Sequence, residues 1–220
     1  LQTVDLPTTP ATTTTPHLTG FLTIRGLTNQ HPEITTFFES FTVMDTIGFL
    51  SSCIPEELNA YKGNDHVDLE HWLNFPCFKE LCMRRPASND KHSSSTPYAC
   101  NGKPNAYHKY TNYANVQSNC VGGDADVNIL HQILNGQYTH ENYLCNRFIF
   151  MRWKEKFLVP DAEIDSVEGA SYDGYYYIVH DQVTGNILGF YYHKDAEKFQ
   201  QLELSPVMSG MESACDFEFC

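Results

Sequence analysis

The sequence predicts an all-β fold, an antiparallel up-and-down β-barrel with a helical insertion. Segments of alternating apolar and polar residues recur along the chain, which is the two-residue period of a half-buried strand. Aromatic residues make up 13% of the chain, and many lie in these segments. The last predicted strands are joined by short connections, as in an antiparallel meander. Closing such a sheet into a barrel hides its apolar face and its edges together.

The N-terminal third contains the first predicted strands. Residues 1–7 resemble the end of a strand, and residues 8–16 form a polar connector too rich in Thr and Pro for the core. Residues 17–27 alternate, so that Leu22 and Ile24 face inward together. After a loop at residues 26–32, residues 34–43 form a second strand.

The middle of the chain loses the strand period. Residues 66–83 place apolar side chains at steps of three and four, which predicts an amphipathic helix with Asp68 as its N-cap and a break near Pro76. Residues 84–128 contain the short runs 93–97, 102–105 and 121–124 of Ser, Gly, Pro and other turn residues, have few branched apolar residues, and are expected to form a flexible insertion. Residues 127–137 predict a short helix that leads into the next strand.

The strand at residues 148–160 has an apolar face with one carboxylate on it. The odd-numbered side chains share this face: Ile149, Met151, Trp153, Glu155, Phe157 and Val159. The even-numbered face carries Arg152, Lys154 and Lys156 and is expected to face solvent. Two interpretations of Glu155 stay open at this point. It forms an internal ion pair or is turned to water by a bulge, or it lines a cavity that receives a cationic ligand group.

Three more strands follow in the C-terminal part. Residues 175–180 form an aromatic strand, and residues 181–186 connect it through Gly185 to a strand at residues 187–193. Residues 199–204 alternate again, with Gln200, Leu202 and Leu204 on one side. Residues 195–198 are instead compatible with the start of a short helix.

The composition limits the classes of partner. Lys and Arg number 14 against 27 for Asp and Glu, a net charge of −13, which argues against a nucleic-acid partner. No apolar run approaches the roughly 18 residues of a membrane span. We expect no secretory leader and an N-terminally trimmed chain, since it begins at Leu1. The eight cysteines lack metal-finger spacing and are expected to be free thiols, with no metal site and no cofactor.

Several long runs of residues resemble one protein family. They are residues 20–39, His71-Trp72, residues 150–161 (Phe-Met-Arg-Trp-Lys-Glu-Lys-Phe-Leu-Val-Pro-Asp), residues 169–177 (Gly-Ala-Ser-Tyr-Asp-Gly-Tyr-Tyr-Tyr) and residues 189–193. Together they closely resemble the vacuolar import and degradation family, whose members are receptors for proline-led N-termini in the GID (CTLH) ubiquitin ligase. Residues 3–7, 68–72 and 181–186 resemble its yeast members most. The resemblance covers about two-thirds of the chain.

The resemblance implies a lipocalin-like barrel whose funnel binds the first residues of a protein beginning with proline. It implies that Glu155 holds the charged imino nitrogen of that proline, that Tyr176 shares this nitrogen, and that Ser171 and Tyr172 lie along the next peptide residues. The remaining matched positions line the proline pocket and its rim: Ile24, Leu27, Ile34, Leu158, Val167, Gly169, Tyr191 and Gln200. Leu158 has the opposite parity to Glu155, so a bulge or a strand end before Pro160 must turn it inward.

The resemblance also implies where the receptor assembles. Residues 205–220 would be a tail that anchors it to the scaffold subunit of the ligase through Phe217, Glu218, Phe219 and Cys220. A peptide-contacting Gln lies upstream of Leu1 in the family, so that contact and one strand are expected to be missing from this chain. The implied role is non-catalytic, with substrates typified by gluconeogenic enzymes and a cytoplasmic location, nuclear or vesicle-associated locations being alternatives.

Two other functions fit parts of the sequence. A lipocalin-like barrel for a small apolar molecule predicts a cavity without a carboxylate at its base. A hydrolase would pair Glu155 with Asp161 or Glu168 as acid and base, but no nucleophile elbow, metal set or Gly-rich loop accompanies them.

Overall fold

Six strands form one sheet in which their spatial order follows their order in the chain. A computed structural model describes residues 16–26, 32–83, 128–159, 173–195 and 199–207. The strands are β1 (Leu18–Arg25), β2 (Glu33–Thr42), β3 (Phe148–Val159), β4 (Tyr175–Asp181), β5 (Ile187–Tyr192) and β6 (Gln200–Leu204). The pairs β1–β2, β2–β3, β4–β5 and β5–β6 are antiparallel, and the sheet curls into a half-barrel. Among the described residues β1 and β6 are its edges.

The described residues divide into two compact units. One takes its residues from Leu1–Thr42, Pro55–Lys62 and Phe150–Cys220 and contains the sheet. The other takes them from Val43–Ile54 and Gly63–Ile149 and contains the helices α1 (Asp65–Trp72), α2 (Pro76–Met83) and α3 (Ile129–Leu134). No helix within the described ranges is long and apolar enough to span a membrane. The predicted insertion, the strand at residues 1–7 and the C-terminal tail beyond residue 207 lie outside those ranges.

The helical unit confirms the predicted helices and corrects one cap. The helical segment breaks between Trp72 and Pro76, as predicted, and α3 falls within the predicted helix at residues 127–137. Asp68 is not the N-cap: Asn64 accepts from the Val67 N–H, while buried Asp68 accepts from the backbone N–H of Ser51 at 2.5 Å. The helix begins at Asp65, so Asp68 lies inside the helix rather than at its cap, and its carboxylate accepts from a backbone N–H outside the helix.

A bulge in β3 changes which side chains share the sheet's apolar inner face. The register pairs Phe37 with Phe157 and Phe38 with Glu155, so that Lys156 has no partner on β2. Glu155 and Leu158 therefore both point to the inner face, which confirms the bulge expected before Pro160. The placement of Phe157 and Val159 on that face was wrong, because the extra residue turns them to the outer face, where they are 38% and 36% exposed.

The outer face of β3 is not uniformly solvated, which corrects the prediction for Arg152. This residue is only 1% exposed, and its Nη1 donates to the backbone oxygen of Tyr61 at 2.9 Å and to the hydroxyl of Tyr175 at 3.1 Å. Its guanidinium lies 4.8 Å from the ring centroid of Tyr177. The short helix Glu56–Tyr61 supplies the carbonyl and packs Tyr61 against Phe41 at 5.0 Å, so a non-local segment covers this part of the sheet.

Candidate functional site

Seven of the twelve residues matched to the family's peptide site lie in the described ranges, and all seven share the inner face. Cross-strand partners in a sheet lie on the same face, and side chains alternate along each strand. The register pairs Ile24 with Ile34 and aligns Tyr176, Tyr191 and Gln200 across β4, β5 and β6. Leu158 pairs with Thr36, and Glu155 pairs with Phe38 two residues further along β2.

The Glu155 carboxylate is the central polar group of this face. Its residue is 5% exposed, Thr36 Oγ1 donates to its Oε1 at 2.5 Å, and the Tyr176 hydroxyl makes a further hydrogen bond to it. Burial raises the pKa of Glu155, while the hydrogen bonds from Thr36 and Tyr176 and the charge of Lys154 oppose that rise. The carboxylate is therefore held by two hydroxyl donors in a largely dry environment.

Neither structural explanation of Glu155 fits this geometry. The bulge lies after Glu155 and leaves its side chain facing inward rather than to water, and the carboxylate forms no ion pair with any Lys or Arg that the structure describes. The neighbouring Lys154 instead donates to the backbone oxygens of Asp173 and Gly174, at 2.5 and 3.1 Å. A carboxylate with accepting capacity left over, on an apolar face, suits a ligand that carries a cationic donor.

Tyr176 and Tyr191 form the aromatic side of the site. Their ring centroids are 5.0 Å apart at an interplanar angle of 56°. Burial and the adjacent Glu155 charge raise the pKa of Tyr176, so its hydroxyl stays protonated and donates. The hydroxyl of Tyr191 accepts from the backbone N–H of Gly174 at 3.0 Å. A Cβ at Gly174 would lie 2.7 Å from that oxygen, so the close approach requires glycine.

Thr36 is a site residue that the sequence reasoning missed. It lies on β2 between Ile34 and Phe38 on the inner face and is almost fully buried. The alternation of residues 34–43 already placed the Thr36 hydroxyl between these two apolar side chains. That it meets Glu155, 119 positions away in the chain, depends on the pairing of β2 with β3.

Other predicted residues lie outside the described ranges: Leu27, Val167, Gly169, Ser171, Tyr172 and, in the tail, Phe217, Glu218, Phe219 and Cys220. Within those ranges Ile24 is half-buried and Gln200 is exposed, while Ile34, Leu158 and Tyr191 are buried. Solvent exposure along the inner face therefore increases from the buried Glu155 at its centre to the exposed Gln200 on β6. No group of three His, Cys, Asp or Glu side chains in the described part of the chain is arranged to hold a metal ion.

Comparisons with known proteins give a consistent set of relatives. Residues 1–207 match the family model described as vacuolar import and degradation protein. The whole chain is 52% identical to the protein named GID complex substrate-recognition subunit 4 of Saccharomyces cerevisiae. Over 92% of its length it is 30% identical to the glucose-induced degradation protein 4 homolog of Mus musculus, and over 87% it is 29% identical to GID complex substrate-recognition subunit 10 of S. cerevisiae. The chain spans 60%, 67% and 54% of these relatives, in that order.

Proposed function

Because the chain belongs to the vacuolar import and degradation protein family, we propose that it is a substrate receptor of a GID-type ubiquitin ligase. It captures proteins whose N-terminus begins with proline and presents them to partner subunits for ubiquitination and degradation by the proteasome. Two relatives are named as substrate-recognition subunits of the GID complex, which supports the receptor role. The receptor itself performs no covalent chemistry, and its substrates are of the gluconeogenic-enzyme type.

The observation that carries this proposal is the buried Glu155 carboxylate with its two hydroxyl neighbours and no cationic partner among the described residues. The protonated nitrogen of an N-terminal proline has two N–H donors. One carboxylate and one phenol oxygen, those of Glu155 and Tyr176, accept both of them through charge-assisted hydrogen bonds. The amine thereby supplies the positive charge that the buried carboxylate lacks.

The apolar residues around Glu155 provide the selectivity for proline. Ile24, Ile34 and Leu158 lie on the same face, on the Thr36 side of the carboxylate. They form a slot for the pyrrolidine ring, at one end of a lipocalin-like barrel whose closure forms the funnel. A larger first side chain would clash with this slot, and an acetylated nitrogen would lose its charge and one donor. A barrel for a small apolar ligand has no use for this carboxylate, so the same observation disfavours it.

Calorimetric titration with a short peptide beginning Pro-Gly tests the proposal. We expect micromolar binding by the full-length protein, abolished when the peptide is N-acetylated. Glu155→Ala should weaken binding by about 2–5 kcal/mol, the scale for removing one partner of a buried charge pair. Glu203→Ala on β6 is the matched control, because Glu203 is exposed on the other face of the same sheet. Equal binding of free and acetylated peptides would refute amine capture.

The proposal also assigns assembly with the ligase to the tail residues Phe217–Cys220. They bind the scaffold subunit of the ligase, and the receptor acts in the cytoplasm. Deleting these residues should abolish co-purification with the ligase while leaving peptide affinity unchanged. Retained co-purification would place the scaffold contact elsewhere.

A further inference from the structure

Lys154 holds the backbone that leads into β4, although the strand pattern predicted that it faces solvent. Its Nζ donates to the backbone oxygen of Asp173 at 2.5 Å and to that of Gly174 at 3.1 Å. Hydrogen bonds donated by an ammonium group are charge-assisted and therefore stronger than those between neutral groups. Glu39, the cross-strand partner of Lys154 on β2, forms its salt bridge with Lys156 instead, at 3.2 Å.

The environment of Lys154 is that of an anchored cation. The residue is half-buried, whereas a lysine on a solvated face keeps its ammonium in water. Burial lowers the pKa of Lys154, and the charge of Asp173 opposes this effect. Withdrawing a cation from water costs free energy unless hydrogen bonds or opposite charge compensate it. The two backbone oxygens and the nearby carboxylate of Asp173 provide that compensation.

The backbone at Gly174 is held from β5 as well as from β3. Its oxygen accepts from Lys154 on β3, and its N–H donates to the hydroxyl of Tyr191 on β5 at 3.0 Å. These two strands are the neighbours of β4 in the sheet. Gly174 lies one residue before the pairing of β4 with β5 begins, and the ends of paired segments open most readily. The contacts of Gly174 therefore stabilise the end of β4 that contains Tyr176.

A short series of contacts connects Gly174 to the carboxylate of the candidate site. Tyr191 is the cross-strand partner of Tyr176, and their ring centroids are 5.0 Å apart. The hydroxyl of Tyr176 is in turn hydrogen-bonded to Glu155. Hydrogen bonds weaken steeply when their distance or angle departs from the preferred values. A displacement of the backbone at Gly174 would shift both tyrosines and weaken the bond to Glu155.

We propose that Lys154 is a positioning residue for the capture of the peptide amine: it fixes the backbone at Gly174 and thereby holds Tyr191 and Tyr176 in place beside Glu155. Adjacent residues of a strand point to opposite faces, so Lys154 acts from the outer face on a site that lies on the inner face. This inference rests on the proposed function and adds to it a residue that acts through the two tyrosines.

Calorimetric titration of Lys154→Met with a proline-led peptide tests this role in the full chain. Methionine keeps an unbranched side chain but has no ammonium. We expect affinity to fall about fivefold, less than the loss expected for Tyr176→Phe, because the phenol is displaced rather than removed. Lys154→Arg keeps the charge and the donors and should bind within about twofold of the parent. Parent-like affinity of Lys154→Met would overturn the proposal.

Lys156→Met is the matched control for the loss of charge. It makes the same change two positions along β3, at an exposed residue whose salt bridge is to Glu39. The control should bind the peptide as the parent does. A loss equal to that of Lys154→Met would assign the effect to the charge of the strand and overturn the positioning role.

The Tyr176→Phe background tests the path from Lys154 to the site. If Lys154 acts by placing the phenol hydroxyl, Lys154→Met should have little further effect on affinity once that hydroxyl is absent. The same fold loss in both backgrounds would show that Lys154 does not act through Tyr176, and would overturn the proposal.

Hydrogen exchange of the Gly174 amide, measured by NMR without peptide, gives a readout that does not depend on peptide binding. Lys154→Met should speed this exchange about tenfold, whereas Lys156→Met should leave it unchanged. Unchanged exchange in Lys154→Met would overturn the proposal regardless of the peptide result. A parent protein that does not bind the free peptide would refute the proposed function itself, and the exchange rates would still decide whether Lys154 fixes Gly174.

Discussion

Replacing Thr36 by valine tests the least expected part of the candidate site. The two side chains have nearly the same shape, so Thr36→Val removes one hydroxyl and leaves the strand pairing of β2 intact. The lost bond is the one from Thr36 Oγ1 to Glu155 Oε1 at 2.5 Å. A hydrogen bond to a charged group contributes about 1.5–3 kcal/mol. Because the Tyr176 bond to the carboxylate remains, we expect a loss near the lower end, about tenfold in peptide affinity.

The pH dependence of binding should change as well. Burial raises the pKa of Glu155, and the Thr36 hydrogen bond opposes this rise, so its removal raises the pKa further. Only the ionised carboxylate pairs with a cationic amine, so affinity falls as the pH drops through the pKa of Glu155. In Thr36→Val this fall should begin at a higher pH than in the parent protein.

Titration calorimetry of a proline-led peptide across pH 4–8 measures both effects. Thr35→Val is the matched control, because Thr35 is the adjacent residue and faces outward, where its hydroxyl is hydrogen-bonded to Thr23 at 2.9 Å. The control should bind as the parent does at every pH. Unchanged affinity and pH profile in Thr36→Val would falsify the assignment of Thr36 as the residue that positions the carboxylate.

Three further predictions follow from other contacts. Tyr176→Phe removes the second hydroxyl donor to Glu155 and should weaken the peptide about tenfold with little change in Tm; full affinity would show that the phenol takes no part. Gly174→Ala places a Cβ against the Tyr191 hydroxyl and the Tyr192 carbonyl and should reduce the free energy of unfolding by about 1–3 kcal/mol in urea; a neutral result would contradict that tight approach. Burial lowers the pKa of His140 to about 4, below its ordinary 6.5, so the unfolded chain binds more protons between these values and stability falls by up to about 3 kcal/mol as pH drops through that window. His140→Gln should flatten this dependence in denaturant titrations at each pH, and an unchanged slope would assign it to another group.

Much of the sheet could be predicted because strand signals are local. The period of two placed Leu22 with Ile24 and Gln200 with Leu202 on common faces, and the register confirms both. The helix at residues 66–83 was predicted from its own periodicity, and it and the short helix expected within residues 127–137 were confirmed. The family resemblance selected Glu155 and Tyr176, and the structure brings these two side chains into hydrogen-bonding contact.

Two of the misplaced residues, Arg152 and Asp68, have a polar partner from a distant part of the chain. Arg152 was expected to face solvent. Its guanidinium is instead buried, where it donates a hydrogen bond to the backbone oxygen of Tyr61, 91 residues away in the chain. Asp68 was expected to cap its own helix, but Asn64 caps it, and the Asp68 carboxylate accepts from the backbone N–H of Ser51. Polar side chains settle where their hydrogen bonds are satisfied, and no local pattern reveals a donor or acceptor from a distant segment.

The sequence by itself determined the strands, the helices, the family and the one carboxylate on an apolar face, because these depend on residue periodicity and on runs of residues that resemble the family. Only the tertiary structure decided what surrounds that carboxylate. The bulge at Lys156 reverses the parity of β3 after Glu155, and the pairing of β2 with β3 sets Thr36 beside it. Strand register depends on which strands pair and how they align, so the contact of the Thr36 hydroxyl with Glu155 follows from packing across the sheet.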